Sequence, residues 1–162
     1  MFEDKFYELE VTIKKDLTPG QNKREFDNAY DAETKCYELM GTGVKADNVM
    51  DELNIVLGAD GSVFCNEFFS KVPIGGTDVI KYHLFYVESF NDDTPTEVTF
   101  NRFDSLDGAV GAYYSKRGAS RVKENLETAM CKVFNSHGGF EGKYCYSWDK
   151  NPAPEPEPNT EE

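Results

Sequence analysis

Four cations, two serine hydroxyls and a glycine crowd into residues 115–123, Ser-Lys-Arg-Gly-Ala-Ser-Arg-Val-Lys. Guanidinium groups offer a planar fork of donors that matches phosphate or carboxylate oxygens, and serine hydroxyls add further donors. Lys116, Arg117, Ser120 and Arg121 are therefore the candidate anion-binding residues. The competing explanation is that cations gather at a helix C-terminus, where they complement the helix dipole. The corresponding stretch of the first half, 41–46, reads Gly-Thr-Gly-Val-Lys-Ala, so an anion site is expected in one half only.

Thiols and imidazoles form the second group. Cys131, His137 and Cys145 follow C-x5-H-x7-C spacing, and Cys65 lies in the matching strand of the first half. Zinc sites favour a tight Cys-x2–4-Cys pair, which is missing here, so these thiols are read as core packing and no metal is assigned. Cys131 or Cys145 beside His137 is the one nearby nucleophile–base pairing, with no orienting carboxylate in view. His83, in the alternating run 82–86, is expected to be a half-exposed strand residue.

Carboxylates form the third group. Asp47, Asp51 and Glu52 are the candidate protein-binding acids, while Asp92, Asp93 and Glu97 read as solvated loop charge without the glycine of a calcium loop. The chain has no phosphate-binding glycine loop, nucleophile elbow, zinc-protease motif or CxxC. Neither a catalytic residue nor a cofactor is assigned, and the expectation is a protein that is not an enzyme.

Charge narrows the partners. The net charge is −13, with 15 acids and 8 bases over 1–75, 11 and 9 over 76–150, and four glutamates in 151–162. Such a surface repels nucleic acid and anionic lipid and suits a partner protein with a basic surface. The first residues lack the basic and apolar regions of a signal peptide, and no run is long enough to span a bilayer. A cytoplasmic location with reduced thiols is the expectation.

The elements that position these groups are strand-rich, since 14% of residues are aromatic and 39% hydrophobic. Phe6–Lys14 alternates Tyr7, Leu9, Val11 and Ile13 on one face, and Tyr82–Phe90 is its counterpart. Each is followed by a Thr-Pro turn and a return strand, 23–28 and 97–102. Asp31 and Asp104 are expected to cap helices whose apolar stripes follow, with stops at the glycines of 41–43 and at Gly118. Residues 46–57 and 119–134 are expected to start irregular or helical and turn into strands. Glycine turns then lead into aromatic strands over 63–69 and 140–148.

The expected fold is α+β, two similar β-β-α-β-β units, mainly antiparallel, with one helix packed per unit. The first unit spans 1–75 and the second 76–150, together one compact domain, and a Pro-Glu tail over 151–162 extends from it. The offset between units drifts from 76 to 73 to 77, with Asn28/Asn101, Asp31/Asp104, Ala46/Ala119, Val49/Val122 and Leu53/Leu126 matched at 73. The two sheets are expected to join edge to edge through 64–69 and 79–90.

Three functions fit this reading. The first is a binding or accessory protein that contacts proteins through its acidic surface, including an inhibitor that mimics nucleic acid. The second is a binding protein or enzyme holding a small anionic ligand between the repeats. The third is a homo-oligomeric structural subunit. Phe68, Phe69 and Trp148 are the aromatic positions to test should electrostatics fail.

Overall fold

The computed structural model describes residues 1–72 and 80–152. The tail beyond residue 152 and the turn over 73–76 lie outside the described residues. The first unit runs β1 (Phe6–Lys14), β2 (Pro19–Phe26), α1 (Ala29–Lys45), β3 (Val49–Gly58) and β4 (Val63–Ser70). The second runs β5 (Tyr82–Phe90), β6 (Glu97–Phe103), α2 (Leu106–Arg121), β7 (Leu126–Asn135) and β8 (Tyr146–Asp149). The expected α+β architecture of two β-β-α-β-β units is what the chain adopts, as two antiparallel four-stranded sheets ordered β2-β1-β3-β4 and β6-β5-β7-β8.

The sheets stack face to face. β5 has β6 and β7 on its two edges, so no edge remains for the join to β4 that the sequence suggests. Strand alternation supplies the reason. Tyr7, Leu9, Val11, Leu53, Ile55 and Leu57 of the first sheet bury against Phe85, Val87, Met130 and Phe134 of the second. The Tyr7 and Phe85 rings meet at 5.2 Å. On the opposite faces, Ala32 and Cys36 of α1 cover Val56 and Cys65, and Ala109 and Tyr113 of α2 cover Leu84, Tyr86, Ala129 and Cys131. The layers are therefore helix, sheet, sheet, helix, and the face of the first sheet under α1 buries carboxyls beside its apolar side chains.

The match between units is closer than the letters suggest, at a different offset. In β1 and β3, Phe6 pairs with Gly58 and the register slips between Ile13 and Lys14. In β5 and β7, Tyr82 pairs with Asn135 and the slip falls between Ser89 and Phe90. β5 thus follows β1 by 76 residues, and β7 follows β3 by 77. Buried positions Ala32, Cys36 and Gly43 of α1 recur as Ala109, Tyr113 and Ser120 of α2, again displaced by 77. The five matches at 73 are displaced by four residues. One helical turn is 3.6 residues, so a slip of four keeps an apolar stripe in phase and conceals the error.

The helix and strand ends differ from the expected ones. Asn28 caps α1, accepting from Asp31 N at 2.8 Å, and donates back to Asp31 Oδ2 at 3.0 Å. Ser105 caps α2 by accepting from Gly108 N at 3.2 Å. Asp31 is thus three residues inside its helix, and Asp104 sits before its cap, paired with Lys81 at 2.8 Å. Both are corrections of the expected caps. The helices also run through their glycines to Lys45 and Arg121, since Gly41 and Gly118 face open space and Gly43 sits closely on Glu52. β3 and β7 begin at Val49 and Leu126, so the irregular starts are short. The last aromatic stretch is broken. Phe140 bridges Phe134, yet Tyr146 pairs with Cys131, so three extra residues loop out around the 3-10 turn Gly142–Tyr144.

Candidate anion-binding cleft

The basic island forms the end of α2 and the turn after it. α1 lies across all four strands of its sheet, whereas α2 lies over β5, β6 and β7. Its reach to β8 is through Arg117 and Tyr113, whose groups contact the Tyr146 ring at 4.6 and 5.8 Å. Between the end of α2 and β8 is a cleft of about 350 Å³. Arg117, Ser120, Arg121 and Lys123 form one wall, Leu126 and Ala129 the floor, and Tyr146, Ser147 and Trp148 the other wall.

The walls are held in place before any ligand arrives. Arg117 donates to Tyr113 Oη at 2.9 Å and lies over the Tyr146 ring, so its fork is already oriented. Tyr146 Oη donates to Tyr86 Oη at 3.2 Å, and Ser120 Oγ donates to the Arg117 carbonyl at 3.0 Å. Burial raises both phenols above their ordinary values, which keeps them neutral donors. Lys123 donates to the buried Glu88 at 2.6 Å, which offsets its charge. Among the described residues Arg117 and Arg121 have no carboxylate within salt-bridge distance, and both are exposed. Trp148, the chain's one tryptophan, is 45% exposed at the opposite wall.

The cleft has a physical origin in the comparison of units. The position of Ala129 in β7 matches Glu52 in β3, and Ser120 matches Gly43. In the first unit Glu52 fills the space under the helix. A Cβ on Gly43 would stand 3.1 Å from Glu52 Cγ. In the second unit alanine leaves that space open.

The filled counterpart is a buried carboxyl cluster. Arg24 donates to Glu8 Oε1 at 2.9 Å and to Glu10 Oε1 at 3.1 Å, and Asn54 Nδ2 donates to Glu52 at 3.0 Å. Burial pushes Glu8 up to about 7, against the pull of Arg24. Burial and the hydrogen bond with Glu10 push Glu52 up to about 9. Burial alone would raise Glu10, but the hydrogen bonds with Glu52 and Arg24 outweigh it and hold Glu10 below its ordinary value. Two charges so close in a buried place would repel, so Glu10 and Glu52 share one proton as a pair.

Sequence-chosen residues distribute unevenly. Arg117, Ser120 and Arg121 share the cleft, while the Lys116 ammonium lies 5.5 Å from the Tyr86 ring centre and does not line it. Of the three acids proposed as a contact surface, Asp47 is exposed, but Asp51 and Glu52 are 2% and 1% exposed and are not surface groups. Asp51 accepts from Ser70 Oγ at 2.5 Å and faces His137 Nε2 at 3.8 Å. His83 is also wholly buried, a correction of its expected half-exposure. It lies between the sheets, 5.3 Å from the Phe134 ring and hydrogen-bonded to Gln21 at 3.0 Å.

The cysteine–histidine constellation does not converge. The His137 ring lies tilted against Phe68 at 4.7 Å, Cys145 bonds the carbonyls of Val133 and Glu141, and Cys131 faces α2. Burial pushes Cys131 up to about 12, which leaves a neutral thiol. Among the described residues no three His, Cys, Asp or Glu side chains gather as metal ligands. No described helix is long and apolar enough to cross a membrane. Tyr146 and Ser147 were missed from sequence. The signal was alternation of Tyr144, Tyr146 and Trp148 next to a cationic helix end.

No family model, no curated protein and no solved structure matches this chain.

Proposed function

We propose that the protein is a non-enzymatic binding protein for a small anion that carries an aromatic ring, of which a nucleotide is the type. The observation that supports this reading is the pairing of Arg117 and Arg121 with Tyr146 and Trp148 around one cleft, in a chain of net charge −13. Arg117 and Arg121 take the phosphate or carboxylate, and Trp148 stacks on the ring. The reading ranks above an acidic contact surface because two of the three acids named for that surface are buried.

Trp148 makes the test direct, since the intrinsic tryptophan fluorescence has a single source. Titration with adenosine and guanosine nucleotides should quench it and raise the melting temperature. Inorganic phosphate should compete weakly, and Arg117→Ala with Arg121→Ala should remove the effect. No response to any nucleotide, or an undiminished response in the double variant, defeats the proposal.

A further inference from the structure

Cys36 and Cys65 are brought together by different elements, α1 and the edge strand β4. Their sulfurs are 2.8 Å apart, within an ångström of the ~2.05 Å of a covalent S–S bond. Both are free thiols, Cys36 wholly buried and Cys65 7% exposed. Val56, Phe6 and Phe26 pack around them, so the two backbones are already fixed by the core. Cys131 and Cys145 have no such contact. Cys145 bonds two carbonyls and Cys131 faces the other helix.

We infer that Cys36 and Cys65 are a site of reversible disulfide formation that fastens α1 to β4 when the protein meets a small-molecule disulfide. In the first step the Cys65 sulfur, the more exposed of the two, gives up its proton and attacks one sulfur of a disulfide such as oxidised glutathione. One glutathione thiolate leaves and a mixed disulfide forms. The Cys36 sulfur then loses its proton, attacks Cys65 and expels nothing but the second glutathione thiolate. The protein loses two protons and two electrons, and the reagent gains them as two thiols.

Burial sets the rate. It raises both thiols above their ordinary values, while the contact with Cys36 favours the Cys65 thiolate. Exchange in the native state is therefore slow and starts from Cys65. During folding, before the core closes over Cys36, it is fast. The bond would close a loop across a sequence separation of 29 residues and raise the melting temperature by roughly 10 °C.

The experiment has two arms. Native reduced protein is incubated with oxidised glutathione at pH 8, and denatured reduced protein is refolded in a mixture of reduced and oxidised glutathione. Free thiols are then alkylated, and tryptic peptides are mapped without reduction. The expected product joins peptide 36–45 to peptide 46–71, is two hydrogens lighter than the separate peptides, and melts higher until dithiothreitol restores the starting value. Cys65→Ser should abolish both the link and the shift. Absence of that link in both arms, or a dominant link between 124–132 and 144–150, overturns the inference.

Discussion

Glu52 and Glu10 hydrogen-bond to each other on the face of the first sheet that α1 covers, and between them they hold one proton. A protonated carboxyl donating to a carboxylate is tolerable in a buried place, whereas two charges there would repel. Arg24 offsets part of what remains, through Glu8 and Glu10. This arrangement ties the packing of α1 to pH.

The sign follows from the raised values. Glu8 and Glu52 bind protons more tightly in the folded chain than in the unfolded one, so their contribution is complete below about 4.5 and is lost as pH rises toward about 7 and about 9. Glu10 works in the opposite direction and only at acid pH. Above the range in which His83 titrates, the melting temperature should therefore fall from pH 7 to pH 9. Glu52→Gln, which keeps the shape of the protonated acid, should flatten the alkaline part of that fall and exceed the wild type at pH 9. Coincident profiles for the two proteins would place the proton elsewhere.

His83 behaves conversely. Burial, aided by the charge of Arg102, lowers it to about 3. Its ordinary value is 6.5, so the unfolded chain takes up a proton that the folded chain refuses. The stability it contributes is present above about 6.5 and is lost as pH falls through that value toward 3. His83→Phe, flanked by Phe100 and Phe134, should reduce the acid sensitivity of the melting temperature between pH 6 and pH 4. It also leaves Gln21 Oε1 without its partner, so a small loss near pH 8 is expected, on the order of 1 kcal/mol. An unchanged acid limb in the variant would show that other groups drive it.

Ala129 forms the cleft floor where the first unit has Glu52. Ala129→Leu should fill that floor and weaken nucleotide binding at least tenfold, read from Trp148 fluorescence. Because Ala129 also packs in the core beneath α2, the added atoms should cost some stability as well, about 1–3 kcal/mol. Binding at wild-type strength would move the ligand away from this floor.

The strands were legible because their period is two and their aromatic content high. Phe6–Lys14 and Tyr82–Phe90 have the bounds that alternation suggests, and the two helices lie where the apolar stripes point. The cationic character of residues 115–123 is likewise a property of the chain itself. Alternation identifies two faces of a strand, however, and says nothing of what covers each. Sheet stacking, with α1 and α2 outside, came from tertiary structure, and it buried Asp51, Glu52 and His83. Charge in a sequence is a count, while exposure depends on which elements pack above it.

The alignment of the two units shows the same division. Sequence alone established that one pattern occurs twice, but a helical stripe looks alike after a slip of one turn, so the offset of 73 was as plausible in letters as 77. Only strand register, with Ile13/Lys14 and Ser89/Phe90 at matching slips, decides between them. That register also places Ala129 opposite the role of Glu52, and so opens a cleft in one half of a symmetric plan. Arg117 meets Tyr146, and Arg121 shares a cleft with Trp148, because α2 stops short of covering β8. Those meetings join residues about 25 to 30 apart in sequence through the path of a whole strand and turn, a distance over which local pattern carries no information.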